Sequence, residues 1–451
     1  MPRYDRLQDV RNGVLRFAEW YYGPQTRYLA AYEMNAADAG PFEELRVNVN
    51  YQKIKESRHQ REYRRYDRHD NRLERLNVWG FVVDGRRRWQ QHELTVGFDG
   101  QLNDVQSSAF RQNIQSGAVS PLDSRYPNGD NNMNYFGLYA QHLWKLMDEK
   151  LIINDGIRLQ TVSLHSTIRD NSFFNFPFTE IKQTNTAVTG NLGAVYLPSE
   201  KTRLTASLAS GFRTPNVDDV ARIFESNTAS RQLIVPNPNI GPEYTYNADL
   251  GVTQHIGNLR FEVTGFYTWF RNAISLAPFQ FNGQDSITYN GARARVFANQ
   301  NTNKARLYGF HANITADFLK HFRFYSTITY THGRLLPKGT SKVPLDHIPP
   351  VYGKTSVTFT NQRLTAEVFA LYNGWKRLED YNPSGEDNAQ YATPEGTPAW
   401  TILNLRTTIN LYKKVSLQAG IENLFDRNYR YFASGFSAPG RHVIIALRST
   451  F

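Results

Sequence analysis

Cysteine is absent from the 451 residues of the sequence. A disulfide framework, thiolate metal ligands and a cysteine nucleophile are therefore excluded. The sequence also has no run of about 18 apolar residues, which excludes a transmembrane helix. Its start, MPRYDRLQDVRNG, lacks the apolar core of a secretory signal peptide. If the protein is exported, we therefore expect that this chain is not the complete precursor.

Aromatic residues are abundant, at 14% of the chain with 26 Tyr and 28 Phe, whereas all hydrophobic residues together reach only 40%. A polar chain that is rich in Tyr and Phe favours many half-buried strands over a thick apolar core. The formal net charge is +11, from 52 Lys and Arg against 41 Asp and Glu. Such a surplus suits nucleic acid, phosphate-rich lipid headgroups or an anionic ligand.

The end of the sequence, GRHVIIALRSTF, alternates between two kinds of side chain, and one face carries Val443, Ile445, Leu447 and Phe451. The same period of two recurs in residues 259–270, 322–330, 402–412 and 415–425. This pattern is typical of strands with one apolar face and one wet face. No comparable stretch has helical periodicity. The sequence therefore predicts an all-β fold.

Soluble sandwiches, soluble barrels and membrane barrels all show this alternation, but several features favour a barrel in a membrane. The strands are about ten residues long, as a tilted membrane strand requires. Their polar faces carry Arg, Glu, Asn and Thr, and tight turns at 255–258 and 411–414 alternate with long polar loops at 171–186, 214–245 and 374–400. We predict a transmembrane antiparallel β-barrel with about 18 visible strands.

The segment SRHQREYRRYDRHDNRLER, residues 57–75, is densely basic and could form a nucleic-acid-binding arm. Its flanks, LRVNVNYQKIK and LNVWGFVV, both have the pattern of strands. We therefore predict that residues 57–75 are a loop outside the membrane between two strands, and we expect no nucleic-acid partner.

Several stretches carry a family resemblance. The end, GIENLFDRNYRYFASGFSAPGRHVIIALRSTF, resembles the closing strands of TonB-dependent outer-membrane receptors. So do SGFRTPNVDD with NPNIGPEYTYN, NTNKARLYGFHANI and PLDHIPPVYGKTSV, in the order found in that family, and RFAEWYYGPQTRYLA resembles an early barrel strand. The positions that match the family motifs are Phe212, Arg213, Pro215, Asn237, Pro238, Asn239, Asn423, Leu424, Phe425, Gly440 and Arg441.

The resemblance implies the barrel part of a receptor whose family barrel has about 22 strands around an N-terminal plug. We expect residues 1–451 to form a partial barrel domain, with the plug and about four strands missing. The implied function is uptake of an iron chelate (siderophore) or a haem-type ligand across the outer membrane of a Gram-negative bacterium. The implied partners are outer-membrane lipid, the TonB energy-coupling complex, which acts through the plug, and the barrel-assembly machinery, which reads the terminal aromatic signal.

Two sets of residues bear on the ligand. In haem receptors of this family, FRTP and NPNI elements flank a loop with a haem-ligating histidine, but residues 216–236 contain no histidine, which favours a structural role. Arginines predicted to face the lumen would attract an anionic cargo or pair with acids on a plug: Arg260, Arg323, Arg406 and Arg448.

Other functions are weighed against uptake. A passive porin or channel is the alternative, since a chain of this length could form such a barrel. The 11 histidines are scattered without metal-ligand spacing, and no catalytic constellation stands out. We therefore predict no enzymatic activity, no cofactor and no metal site.

Overall fold

The computed structural model describes residues 10–11, 14–15, 17–65, 67–124, 126–169, 171, 176–221, 224–227, 231–289, 292–301, 304–337, 341–385, 387–412 and 414–450. The strands among them are, in chain order, β1 (Val10–Arg11), β2 (Val14–Leu15), β3 (Phe17–Tyr22), β4 (Thr26–Ala39), β5 (Phe42–Glu62), β6 (Arg68–Trp89), β7 (His92–Asn113), β8 (Val119–Pro121), β9 (Gly129–Leu146), β10 (Leu151–Thr167), β11 (Glu180–Ser199), β12 (Thr202–Arg213), β13 (Phe224–Asn227), β14 (Gln232–Ile234), β15 (Glu243–Ile256), β16 (Leu259–Arg271), β17 (Ile274–Pro278), β18 (Ser286–Tyr289), β19 (Ala292–Asn301), β20 (Lys304–Phe318), β21 (Phe322–Leu335), β22 (Val343–Pro344), β23 (Tyr352–Thr360), β24 (Leu364–Asn373), β25 (Lys376–Arg377), β26 (Gly396–Thr397), β27 (Trp400–Tyr412), β28 (Val415–Glu422) and β29 (His442–Ser449).

Helix is scarce in the described part of the chain. It comprises α1 (Val217–Ala221) and two 3-10 turns, Leu378–Asp380 and Ala389–Tyr391. None of the described helices has the length and hydropathy needed to cross a membrane.

Twenty of the strands follow one another around a closed barrel, from β3 to β12 and then through β15, β16, β20 to β24 and β27 to β29. The strand pairings described within it are antiparallel, as between β10 and β11. Three of the twenty are short: β3, β8 and β22 have six, three and two residues. Each short strand pairs with the same partner as a longer strand and extends the pairing of that longer strand. For example, β3 and β4 both pair with β5. The predicted all-β antiparallel barrel is confirmed.

The connections alternate strictly in length. Two to four residues join β4 to β5, β6 to β7, β9 to β10, β11 to β12, β15 to β16, β20 to β21, β23 to β24 and β27 to β28. The other connections between consecutive long barrel strands have between five and 32 residues. We call the two rims of the barrel the short-turn end and the loop end. In outer-membrane barrels, the short turns face the periplasm and the long loops face the outside.

The outer face of the barrel is apolar. Val188, Leu208 and Leu250 are 63%, 60% and 70% exposed, and each belongs to the alternate set of residues that points away from the lumen. Exposed apolar side chains in such a row are suited to lipid, because they would otherwise lie against water. Their polar neighbours face the interior, where Arg158 and Asp99 form a bidentate ion pair at 2.6 and 2.9 Å.

Residues 57–75 are not the loop that the sequence predicted. Strand β5 continues to Glu62 and β6 begins at Arg68, so only residues 63–67 connect them. The charges of this segment face partners of opposite sign across the sheet, as Arg111 does with Asp70 at 2.6 Å. Cross-strand pairs of opposite charge stabilise a sheet, so a dense charge run can be a strand. The predicted loop at 171–186 is likewise shorter, because β11 begins at Glu180.

The largest buried clusters lie at the loop end. Strands β13, β14, β17, β18 and β19 form a small separate sheet, in which β14 and β19 run parallel. We call it the loop sheet. Its core consists of Leu233, Val235, Phe281, Tyr289, Ala294, Val296 and Ala298. A second cluster packs α1 against the barrel strands β10 and β11 through Val217, Val220, Leu164 and Ile181.

Candidate ligand-binding site at the loop end

The FRTP element lies where β12 leaves the barrel. Arg213 ends the strand and forms ion pairs with Asp219 at 2.6 Å and with Glu243 at 2.5 Å. Phe212 packs against Tyr244 of the neighbouring strand β15, with ring centres 5.5 Å apart. The guanidinium thus ties the start of a long loop to the strand on which that loop ends.

The NPN element closes the same loop from its other side. Pro215 is fully buried, and Asn237 is 6% exposed. The side-chain oxygen of Asn237 accepts the backbone N–H of Asn239 at 3.2 Å. Gln183 of β11 donates to the carbonyl of Pro238 at 2.7 Å. These residues therefore fix the base of the loop, and their side chains are used within the protein.

Asn423 organises the last connection, between β28 and β29. It is 1% exposed and has a positive φ of 51°. Its backbone N–H donates to the side chain of Asn404 at 2.9 Å. Its side-chain oxygen accepts the N–H of Arg427 at 2.9 Å, and its amide donates to the carbonyl of Arg427 at 2.8 Å. One buried amide thus holds a complete turn.

The other matched residues of this connection surround Asp426. Its carboxylate accepts the backbone N–H of Arg441 at 2.7 Å. A Cβ at Gly440 would lie 2.6 Å from an oxygen of that carboxylate, so a larger residue would have to displace the Asp426 side chain. Leu424 continues the pairing with β27 by one hydrogen bond, whereas Phe425 is 76% exposed. The Asn-Leu-Phe-Asp and Gly-Arg elements are two halves of one closure.

A cavity of about 380 Å³ opens beside this closure, and we call it the aromatic pocket. It is lined in part by Tyr391, Trp400, Arg427, Tyr429 and Arg430. The rings of Trp400 and Tyr429 have centres 4.6 Å apart, and the indole N–H donates to the carbonyl of Arg430 at 2.8 Å. Burial raises the pKa of the Tyr429 hydroxyl, which keeps it protonated. Aromatic faces beside two guanidinium groups suit a flat, anionic ligand.

The sequence predicted no metal site, but three possible ligands meet at the loop end. The ligand atoms of Asp346, His347 and Asp387 all lie within 4.8 Å of one another. The imidazole Nδ1 is 2.7 Å from the buried carboxylate of Asp387, which also accepts the backbone N–H of His347 at 2.9 Å. Lys376 lies nearby; burial lowers the pKa of its ammonium group, although both aspartates oppose this. These groups largely satisfy one another.

The arginines predicted to face the lumen lie on strand faces opposite the exposed apolar residues. Arg323 pairs with Asp317 through two contacts of 2.6 and 3.0 Å. Arg260 pairs with Glu262 and Arg406 with Glu422, while Arg448 lies exposed on β29. Carboxylates of the barrel itself thus offset most of this positive charge. Exposed ion pairs of this kind contribute little to stability.

The predicted assembly signal lies at the end of the barrel. Val443, Ile445 and Leu447 share the outer face of β29 and are 64%, 72% and 70% exposed. Phe451 lies outside the described residues.

Residues 2–424 match the family described as TonB dependent receptor-like, beta-barrel. The chain belongs to this family. The resemblance that the sequence motifs indicated is confirmed, and the chain is an outer-membrane barrel.

Two relatives show how much of a receptor the chain spans. It is 28% identical over 266 residues to the probable hemoglobin and hemoglobin-haptoglobin-binding protein 4 of Haemophilus influenzae, covering 55% of this chain and 25% of that protein. It is 20% identical over 390 residues to the ferric enterobactin receptor of Pseudomonas aeruginosa, covering 80% of this chain and 48% of that receptor. The chain thus spans at most about half the length of these two relatives.

Solved structures share the fold. The copper transporter OprC superposes with a TM-score of 0.78 at 16% identity, covering 96% of this chain and 66% of that one. The hemophore receptor HasR of Serratia marcescens, in complex with its hemophore HasA and heme, gives 0.69 at 15% identity, with the same coverage. The family and these neighbours are receptors and transporters.

Sequence patterns did not single out the aromatic pocket. Its residues come from two segments of the chain, around 391–400 and 427–437. The stretch FDRNYRYF carries a local signal, since aromatic residues and arginines alternate in it. The cluster at His347 had no such signal, because Asp387 follows it by 40 residues.

Proposed function

We propose that the complete protein is a receptor for TonB-dependent uptake of an iron chelate or a haem-type ligand, and that this chain is its barrel domain. The observation that carries the proposal is the match of residues 2–424 to the receptor-barrel family. The names of the relatives support the ligand class: one binds hemoglobin, and another is a receptor for ferric enterobactin.

The loop end would supply the first binding step. In the aromatic pocket, Tyr429, which packs against the buried Trp400, would stack on the flat part of the ligand, and Arg427 and Arg430 would pair with its carboxylates or catecholates. A plug pulled by the TonB complex would then open the path through the lumen. The barrel performs no covalent chemistry in this scheme, so we propose that it is not an enzyme.

Ligand binding is tested by titrating the purified chain with haemin and with a ferric tris-catecholate, followed by quenching of tryptophan fluorescence. We expect the Arg427→Ala, Arg430→Ala double variant to bind the preferred ligand at least about tenfold more weakly, because two charge-assisted contacts are lost. Arg260→Ala is the matched control, since that arginine lies in the lumen, paired with Glu262.

A passive channel remains the alternative class, and a liposome-swelling assay separates it from a receptor. Strong, size-selective flux of small sugars through the complete protein, together with no binding of either iron compound, would overturn the proposed function. Saturable binding without such flux supports it.

Assembly is a separate part of the proposal. The outer face of β29, with Val443, Ile445 and Leu447 exposed, would present the apolar row that the barrel-assembly machinery reads together with Phe451. Deletion of Phe451 should lower the amount of heat-modifiable protein in outer membranes. An unchanged amount would contradict this role.

A further inference from the structure

Three titratable side chains lie on the outer face of the barrel, close to the short-turn end. His92 begins β7, His142 lies in β9 and Asp155 lies in β10. His142 and Asp155 are cross-strand partners, and His92 faces Trp144. On the same faces of these strands, farther from the turns, lie the exposed apolar residues Phe98, Leu138 and Ile157.

The three side chains form a continuous hydrogen-bonded chain. His142 Nδ1 lies 3.0 Å from Asp155 Oδ1, and His142 Nε2 lies 2.9 Å from His92 Nδ1. The two imidazole rings are nearly coplanar, at 19°, so they meet edge to edge along the second hydrogen bond. The chain therefore runs from a carboxylate, through two rings, to His92 Nε2.

Two tryptophans flank the end of this chain. Trp89 and Trp144 lie on either side of His92, with ring centres 5.4 and 5.5 Å away and planes within 20° of it. Both indoles are about 40% exposed. Tryptophans on the outer face of a barrel mark the membrane–water interface, so the three hydrogen-bonded side chains lie at headgroup depth.

Charged groups of both signs lie on the outer face near the two imidazoles. Arg87 lies on the outer face of β6, paired in register with Leu94, two residues from His92. Glu93 and Lys145 belong to the alternate set and face the lumen. Arg87 and Asp155 are thus the charged groups on the same face as the two imidazoles in the strands beside them.

The protonation of the three hydrogen-bonded side chains decides whether His92 Nε2 offers the membrane a hydrogen-bond acceptor or a donor. Without an extra proton, His142 donates through Nδ1 to Asp155 and accepts at Nε2 from His92 Nδ1, which leaves His92 Nε2 an acceptor. One added proton reverses the second hydrogen bond, and His92 Nε2 becomes an N–H donor. Asp155 stabilises that state because it balances the added charge.

We propose that this group is a binding site for the phosphate of a phospholipid headgroup in the periplasmic leaflet, with His92 Nε2 and the Arg87 guanidinium as the donors. Trp89 and Trp144 flank the headgroup site, and the apolar row beyond them contacts the acyl chains. The site is independent of the uptake function, because it lies at the opposite end of the barrel from the aromatic pocket.

The experiment counts phosphatidylethanolamine molecules that the purified chain retains in native mass spectrometry, at about pH 5.5 and about pH 8, on either side of the ordinary imidazole range. We expect the wild type to retain one more phospholipid at the lower pH. The His92→Gln, His142→Gln double variant should lose that increment. A phosphate-free galactosyl diacylglycerol should be retained equally by both proteins.

Two further variants make the result decisive. His165→Gln is the matched control, because His165 also contacts a carboxylate, Glu180 at 2.6 Å, but at the loop end of β10. It should retain lipid as the wild type does. Asp155→Asn keeps both rings but removes the carboxylate that contacts His142, and it should retain less of the extra phospholipid at the lower pH. Equal phospholipid retention by the wild type and the double variant would overturn the proposal, as would a pH-independent increment or full retention of the increment by Asp155→Asn.

Discussion

The two ends of the barrel are built in different ways. At the short-turn end, two to four residues reverse the chain, and exposed turn residues such as Asp148 and Leu319 take a left-handed backbone. At the loop end, long connections form buried clusters, a separate sheet and buried polar contacts. The short-turn end is therefore specified by neighbours in sequence, whereas the loop end depends on contacts between distant segments. Substitutions at buried positions of the loop end should therefore destabilise the protein more than substitutions in the short turns.

The largest effect is expected at Asp123, which joins the loop sheet to the barrel. Its carboxylate accepts from Arg72 of β6 and from Tyr289 of β18, both at 2.9 Å. Burial raises the pKa of this carboxyl, although both partners oppose the shift. Asp123→Ala removes one partner of a buried ion pair, which should lower the free energy of unfolding by about 3–5 kcal/mol. Hydrogen exchange in residues 231–298 should rise accordingly.

Glu200→Ala is the control for Asp123, because it removes an exposed carboxylate from the turn between β11 and β12. Its effect should stay within about 0.5 kcal/mol. If exchange in the loop sheet is the same in both variants, Asp123 does not hold the sheet to the barrel.

The second prediction concerns the wall between the two ends. Leu250 lies in the middle of β15, 70% exposed on the outer face, with Ala206 and Gly265 as its cross-strand partners. Leu250→Arg places a charge in lipid and should cost about 2–4 kcal/mol. Gln418→Arg, on the lumen face of β28, should be nearly neutral. Urea unfolding of the barrel in vesicles measures both, and equal losses would contradict the assignment of the faces.

The long barrel strands between the two ends are the part of the fold that the sequence predicted best. Alternation in residues 259–270 and 402–412 identified β16 and β27 almost to their bounds, because the pattern depends only on which face meets lipid. The turn at 255–258 was confirmed for the same local reason. The segment 57–75 was misassigned to a loop between its two strand-like flanks, whereas its own charges pair across strands and continue them.

The third prediction concerns Asn423. Asn423→Ala should lower the free energy of unfolding by about 1–3 kcal/mol. The variant leaves the backbone N–H and carbonyl of Arg427 without their partner, and alanine is strained at a φ of 51°. Limited proteolysis of residues 423–441 should speed up. Phe425→Ala, two residues away and exposed, is the control, and equal cleavage rates in the two variants would show that the amide does not hold the turn.

The loop end could be predicted only in part. The motif at Asn423 was recognisable because its partners, Asp426 and Arg427, follow within a few residues. The junction of Asp123 with Tyr289 joins residues 166 positions apart, and no local pattern encodes such a contact. The aromatic pocket is distributed over two connections in the same way. Periodicity locates strands, but it does not say which loops meet above them.

The smallest effect is expected in the turn between β20 and β21. Leu319 is 77% exposed and has a positive φ of 47°, close to that of Asn423. Glycine relieves the strain of this backbone, but it also raises the entropy of the unfolded chain by a similar amount. Leu319→Gly should therefore change the free energy of unfolding by less than about 0.5 kcal/mol. Asn423→Gly has the same backbone benefit yet loses its buried hydrogen bonds, so it should remain destabilising by about 1–3 kcal/mol. Urea unfolding in vesicles compares the two variants, and equal losses would mean that left-handed geometry, rather than burial and hydrogen bonding, distinguishes the two ends.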